Sequence, residues 1–500
     1  MSPLEIVILL PLLAAALIGA GLPAKLVGRV AALANLIVVI GLWLQFPGAT
    51  ADGSLVFKMS RQILDNPSIS FAVGADGMSL ILALLTTIVT VAAIWQIVDK
   101  PAIYYVSSLM ISAGALGAFL TTDVFFIYSF HELALIPTLL MIALHGQGDA
   151  TERRKVAWKT TVYLGVGSLV LLAGLVALVL NFSEGGKLTF DLTALLAVAK
   201  NAPLAAGTQA WIFFVLLLGF GTLVSLFPMH SWAAPAYATA PTPVAMLHSG
   251  VLKKFGLYGL IRIALPLLPL GAKAEWVQQA MLWMLLGNII IIGLVTIHQT
   301  KLDSMLGNSS VMHMGYIFLG IAAGSELALR GAVLLMFAHG VSIALLFALC
   351  GKMRNQLGSL EFSKLGGLAK NAPFMTVIFG FAAFASIGLP GLANFPGELM
   401  VFAGAFDSRV AGLTEGLQPI HWATIVALWG VVMSAVYMLR AYRSLFFGAA
   451  TAGHFIRDPD GEQRLPLLLL TAVLVVVGFR PGLLIDLLDF TLNTAKAAGL

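Results

Sequence analysis

Apolar runs, each about as long as a bilayer's hydrocarbon core is thick, follow one another along almost the whole chain. A spanning helix needs about 20 such residues, and on that scale the sequence divides into about 14 segments. Of its 500 residues, 59% are hydrophobic and only 10% are charged. An average soluble domain carries about 25% charged residues. No water-facing core could bury this excess, so the solvent must be lipid. The expected class is an all-α polytopic membrane protein. The net charge of +5 does not point to nucleic acid, because the basic residues sit in short loops between apolar runs, as the topology rule for cytoplasmic loops requires. Cys350 is the only cysteine, which excludes a disulfide, a thiolate metal cluster and an iron–sulfur site. No Gly-rich loop follows a strand pattern, so no nucleotide or flavin site is expected, and no cofactor is assigned to this chain.

The N-terminus, MSPLEIVILLPLL, has Glu5 where a signal peptide carries basic residues, so it is read as a retained first helix. The first two segments run from Leu4 to Gly21 and from Val27 to Phe46, followed by a polar loop ending in SFAVGADGMSL. Met78–Val98, Ile103–Leu120, Val124–Leu144 and Lys159–Leu180 are the third to sixth, and the short stretch Leu188–Lys200 is expected to lie at the interface. The seventh starts near Ala210 and breaks at Pro228; Val244–Leu265, Val277–Thr296, Val311–Ala323 and Gly331–Cys350 follow. After a basic loop holding Lys352, Arg354, Lys364 and Lys370, the twelfth starts near Met375 and breaks across GLPGLANFPGE. Trp422–Leu439 and Leu465–Phe479 complete the set. Lysine and arginine favour the loops after odd-numbered segments, which places those loops in the cytoplasm and both termini outside.

The stretch FGTLVSLFPMHSWAAPAYATAPTPVAMLHSGVLKKFGLYGLIR, Phe220 to Arg262, concentrates the chemistry. Its prolines remove backbone donors and break the helix. In lipid, freed backbone groups survive only where protein or a wet cavity satisfies them. The breaks at Pro228 and Pro390 fall five segments apart, and matching interrupted helices are a mark of inverted-repeat transporters. The chain is therefore divided into accessory helices 1–3 (1–98), a first five-helix repeat (103–266), a second (275–445), and a last helix with its tail (463–500), with broken helices 7 and 12.

Ionisable residues inside the apolar segments need a reason, since a centred charge costs roughly 2.5–3.5 kcal/mol on insertion scales. Glu132 sits mid-segment in VFFIYSFHELALIPTLLMI. Its alternatives are a plain interhelical acid and a group that loads and releases a proton. Lys253 and Lys254 are neighbours, about 100° apart around a helix. Lys254 shares the small-residue face of Gly250 and Tyr258, which favours it for a polar axis, and snorkelling is the alternative for both. Lys159 could reach Glu132 or simply join the basic loop. Glu398 follows the second break, where a half-helix N-terminus would hold any anion. His313 and His339 are either satisfied core groups or relay members. His230 and His248 join that chain or hold the broken backbone. No histidine and carboxylate set has metal-ligand spacing.

HELALIP, FPMHSW, APTP with GVLKKFGLYGLIR, SSVMHMGY, GAVLLMFAHG and FPGEL together resemble the antiporter-like subunits of respiratory complex I, and among these the M type (chain 4 in mitochondria). Mrp antiporter and energy-converting hydrogenase subunits are near relatives of that family. The resemblance covers about Ala72 to Tyr442. It implies fourteen helices in two inverted five-helix repeats, and a proton path along a charged axis. On that path Glu132, Lys254 and Glu398 match family residues, as do His313, His339 and Lys159. It departs from the family at Leu223, where a lysine is usual, and in WAAPAY and QTKLDSMLG. Lys253, His248 or His131 is the expected substitute for the missing charge.

The expected function is proton translocation as a membrane subunit of an NADH:quinone oxidoreductase. NADH, FMN, iron–sulfur clusters and quinone would all belong to partner subunits. The implied partners are L- and N-type antiporter-like subunits and a peripheral redox arm, in a bacterial plasma membrane. A Mrp-type cation/proton antiporter subunit, a hydrogenase membrane subunit and a spacer that has lost conduction remain as alternatives.

Overall fold

The computed structural model describes residues 1–46, 55–183, 188–410, 416–448 and 456–488. The loop at 47–54 and the tail from 489 onward, both included in the sequence-based divisions, lie outside them. Helices dominate: α1 (Pro3–Gly19), α2 (Ala24–Gln45), α3 (Gly77–Trp95), α4 (Ala102–Leu120), α5 (Val124–His145) and α6 (Ala150–Asn181). A short α7 (Leu192–Asn201) precedes α8 (Ala206–Val224) and α9 (Ala233–Thr239). Next come α10 (242–267), α11 (Glu275–Ile297), α12 (Leu302–Ala323) and α13 (Glu326–Leu357). The series ends with α14 (Pro373–Ile387), α15 (Asn394–Val410), α16 (Pro419–Phe446) and α17 (Leu465–Phe479).

Among the described residues, ten helices are long and apolar enough to cross a membrane, against the fourteen segments expected. The other four segments exist in other forms. α1 is a turn short, α12 has a polar first half, α10 is interrupted, and the twelfth segment is split between α14 and α15. α3 and α13 are enclosed on all sides, with α10 packed beside them. Large apolar side chains stay exposed on the outer helices, Trp158, Trp283 and Trp429 among them. That surface suits lipid rather than water.

Several boundaries differ from the sequence reading. The polar loop before the third segment contains an antiparallel hairpin, β1 (Val56–Asp65) with β2 (Ser68–Ala75), paired from Val56↔Ala75 to Asp65↔Ser68 with register shifts between Val56 and Met59 and between Gln62 and Leu64. The buried Asp123 anchors it: one carboxylate oxygen accepts from Ser70 N at 2.9 Å, and the other caps α5 through Phe125 N at 2.9 Å. α6 starts at Ala150, inside the basic cluster, with Asp149 as its N-cap. Lys352 and Arg354 belong to the last turns of α13 rather than to a loop, and Lys352 donates to Gln463 at 2.6 Å.

Both interrupted segments are present where proline placed them. α8 ends on Ser225 (φ 69°) and α14 on Gly388 (φ 83°), so each chain turns out of its helix through a left-handed residue. The first break is satisfied by Asn288 of α11. Its Oδ1 accepts from Phe227 N, and its Nδ2 donates to Ser225 O at 3.3 Å and to Val311 O at 2.8 Å. Two backbone groups of the break thus meet one amide, which also ties the break to the Val311 carbonyl in the middle of α12. His230 donates to the Pro228 carbonyl at this break, one of the two roles the sequence left open for it. An unserved buried polar group costs about 1–3 kcal/mol, so Asn288→Leu is expected to lower stability by at least that range, read as a lower unfolding midpoint of the detergent-solubilised protein.

Candidate functional site

The centre of the molecule is set by two glycines. A Cβ on Gly340 of α13 would lie 2.6 Å from Gly250 O, and one on Gly250 of α10 would lie 3.0 Å from Gly340 O. The two backbones therefore meet directly, which brings Lys254, one turn past Gly250, against His339, the neighbour of Gly340. α10 also adopts a π turn over His248–Leu252, a local change often found at functional sites. Lys254 Nζ donates to Ser249 O at 2.8 Å and lies 3.0 Å from His339 Nδ1. Lys254 is wholly buried, so it does not snorkel, and no described carboxylate pairs with it. With the ammonium donating, the His339 proton sits on Nε2, which is buried and has no partner.

His313 of α12 comes next, its ring centroid 5.5 Å from that of His339. Its Nδ1 is 2.8 Å from Ser309 O, and its Nε2 is 2.9 Å from Ser386 O at the end of α14. His313 therefore also holds the second broken helix, a role the sequence reading left to other histidines. A neutral imidazole donates to one carbonyl at a time, whereas the cation serves both. Ser309 Oγ continues to Tyr437 OH at 2.9 Å. Glu398 lies on the electrostatic path of both Tyr437 and Tyr316. Oε1 of Glu398, the hydroxyl of Tyr316 and the amide of Asn394 are all buried without partners. Glu398 is the fifth residue of α15, past its first turn, and its carboxylate folds back over Gly388. It is not a plain helix-terminal anion.

The other expected residues lie off this row. Lys253 Nζ donates to Ser310 Oγ at 3.2 Å and sits 5.2 Å above the Tyr237 ring, buried like its neighbour. Tyr237 in turn meets His248 edge to face at 5.2 Å. His230 is half-buried against Phe227 beside the first break. Lys159 is exposed over the Tyr163 ring at 5.9 Å and does not reach Glu132. Glu132 pairs with its neighbour His131 at 3.3 Å and accepts a hydrogen bond from Ser168, whose hydroxyl also meets Tyr128 at 3.0 Å. Leu223 is buried in apolar surroundings on α8. Tyr316, Tyr437, Ser309 and Ser168 were not foreseen. Hydroxyls are common in membrane helices, and only the buried Tyr437 and Tyr316 stood out as large polar groups in apolar runs.

Between the α5–α6 turn and the ends of α9, α12 and α13 lies a polar cavity of about 450 Å³, bordered by Glu152, Thr239, Asp303, Ser304, Arg354 and Glu361. Arg354 and Asp303 pair across it at 2.6 Å. Ala238 and Thr239, which line it, follow Tyr237 directly in the chain. Among the described residues no group of three or more His, Cys, Asp or Glu could hold a metal ion.

Residues 121–414 match the profile described as NADH:quinone oxidoreductase/Mrp antiporter, TM. The chain belongs to that family. It is 32% identical to NADH-quinone oxidoreductase subunit M of Pseudomonas aeruginosa over 470 residues, which is 91% of this chain and 89% of the relative. The Escherichia coli K12 subunit M is 31% identical over 467 residues, covering 90% and 88%. Among solved structures, a chain of respiratory complex I from Thermus thermophilus with bound NADH superposes with a TM-score of 0.88 at 28% identity, over 99% of this chain and all of that one. A chain of the Mrp complex from Dietzia shares the fold, with a TM-score of 0.82 at 21% identity over 100% and 97%.

Because the Gly250–Gly340 contact positions Lys254 against His339, Gly340→Ala is expected to lower the unfolding midpoint. Gly165→Ala, where an added Cβ meets nothing within 4 Å, is expected to leave it unchanged in the same thermal scan.

Proposed function

We propose that this chain is the M-type membrane subunit of an NADH:quinone oxidoreductase, and that it carries protons through the bilayer along Lys254, His339, His313 and Glu398, with Glu132 feeding that row. The observation that supports this most is the Lys254–His339 contact, 3.0 Å between two fully enclosed basic groups. Two such groups in an apolar interior cannot both hold a charge cheaply. One proton shared between them moves when a nearby charge changes, which is what coupling to a distant redox reaction requires. Neighbouring hydroxyls and orphan polar atoms continue the row to Glu398. Tyr237, His248 and Lys253 line its intake side, toward the polar cavity, with His230 at the first break.

The subunit is not itself a redox partner. NADH, FMN, iron–sulfur clusters and quinone belong to a peripheral arm and other subunits, whose electron transfer shifts the protonation of this row. Glu132 supports the idea of a neighbouring antiporter-like subunit of L or N type. Its side chain is 32% exposed at the middle of a lipid-facing helix, and a carboxylate at that depth favours protein over hydrocarbon. The setting is a bacterial plasma membrane, with the two proline breaks at equivalent places in two five-helix repeats.

Two tests follow. On native gels of mild-detergent membranes, the tagged protein is expected to migrate with a very large band that stains for NADH oxidation. A smaller band without that activity would favour a separate antiporter or hydrogenase assembly. In inverted membrane vesicles, Glu132→Gln is expected to depress NADH-driven acidification strongly while the complex stays assembled. Normal acidification with full assembly would count against the path.

A further inference from the structure

We infer that His131 is the proton-exchanging partner of Glu132, and that the two adjacent residues act as one unit passing protons from the α6 side of α5 to α10. This inference rests on the reading of the chain as a proton-translocating subunit.

Successive residues point about 100° apart around a helix, so the pair straddles α5. Glu132 turns toward α6, where Ser168 binds its carboxylate. His131 turns inward and is 5% exposed. Its ring stacks on Phe255 of α10 at 4.2 Å with an interplanar angle of 20°, and Phe255 follows Lys254 in the chain. The His131 Nδ1 stands 3.3 Å from Glu132 Oε1. Among the described residues, no lysine or arginine lies within ion-pair distance of Glu132. Lys159 is turned outward over Tyr163, and Lys253 is committed to Ser310 and the Tyr237 ring. His131 touches both the acid and the central helix.

A receiver lies beyond it. His248, on the π turn of α10, is 3% exposed, and its Nδ1 has no partner. The ring is fixed by Trp232, stacked at 5.5 Å, and by the edge of Tyr237. It lies within electrostatic range of both His131 and Lys253. The transfer balances as a proton relay. The carboxyl O–H of Glu132 breaks as an N–H forms on Nδ1 of His131, giving a carboxylate and an imidazolium. The imidazolium releases its Nε2 proton through intervening water to Nδ1 of His248. A half-turn of the neutral ring then presents its bare Nε2 to Glu132 and its Nδ1–H to the His248 side, so that the next proton can be taken up. An imidazole suits this task because its unperturbed charge change falls near neutral pH.

The test uses the intact complex in inverted vesicles, with NADH oxidation and acridine-dye quenching recorded together for His131→Gln, His131→Asn and Glu132→Gln. Both histidine variants are expected to assemble and to oxidise NADH as the parent does, while quenching falls by the same factor as in Glu132→Gln. A ring that merely fills space against Phe255 would not separate proton movement from oxidation in this way. Parental quenching in both histidine variants, with Glu132→Gln depressed, overturns this inference alone. So does failure of both to assemble, which would make His131 a packing residue. Parental quenching in Glu132→Gln as well would remove the proton-path reading on which the inference rests.

Discussion

Two helices touch backbone to backbone where Gly250 meets Gly340, and the polar centre of the molecule depends on that contact. Interhelical packing in lipid gains little from the hydrophobic effect and relies on close approach and satisfied polar groups. Small residues allow the approach here. It leaves Lys254 no route to the surface, so its ammonium is served by Ser249 O, freed at the π turn, and by His339. Every other member of the row is positioned relative to that pair. α12 brings His313 alongside, and α15 brings Glu398 back over Gly388.

The broken helices follow the same constraint. Hydrocarbon offers no hydrogen bonds, so each break must import its own. Asn288 supplies two to the first, and His313 serves the carbonyl of Ser386 at the second. The second solution has a functional consequence. A titratable ring that also holds a helix end links protonation to the geometry of the break, because gaining or losing an N–H changes which carbonyls it can serve. Asn288 cannot do this, but His230, which donates to the Pro228 carbonyl at the first break, is a titratable ring in the same kind of place.

Much of this was legible in the sequence. The spans could be read because the bilayer fixes their length, and the breaks because proline cannot continue a helix. Lys254 could be separated from Lys253 by the small-residue face it shares with Gly250. The hairpin was not legible. β1 is mostly exposed, and the bond that anchors the hairpin, from Ser70 of β2 to Asp123, comes from far along the chain rather than from a local pattern. The π turns left no mark, since they depend on packing against α13 and not on residue type. Lys159 was ambiguous, as a charge at a helix start fits either side, and only packing turned it outward. Asn288 could have been found, being a lone amide in WMLLGNIIIIGL. Among the candidates His248, His131 and Lys253, the sequence could not choose, because the choice depends on which faces of α5 and α10 meet.

The central claim is that protons cross through the Lys254–His339 pair, driven by oxidation elsewhere in the complex. The most direct measurement is the ratio of protons moved to NADH oxidised in vesicles carrying Lys254→Met in the assembled complex. The account predicts a lowered ratio with NADH oxidation still supported. A parental ratio in a fully assembled Lys254→Met complex would contradict it.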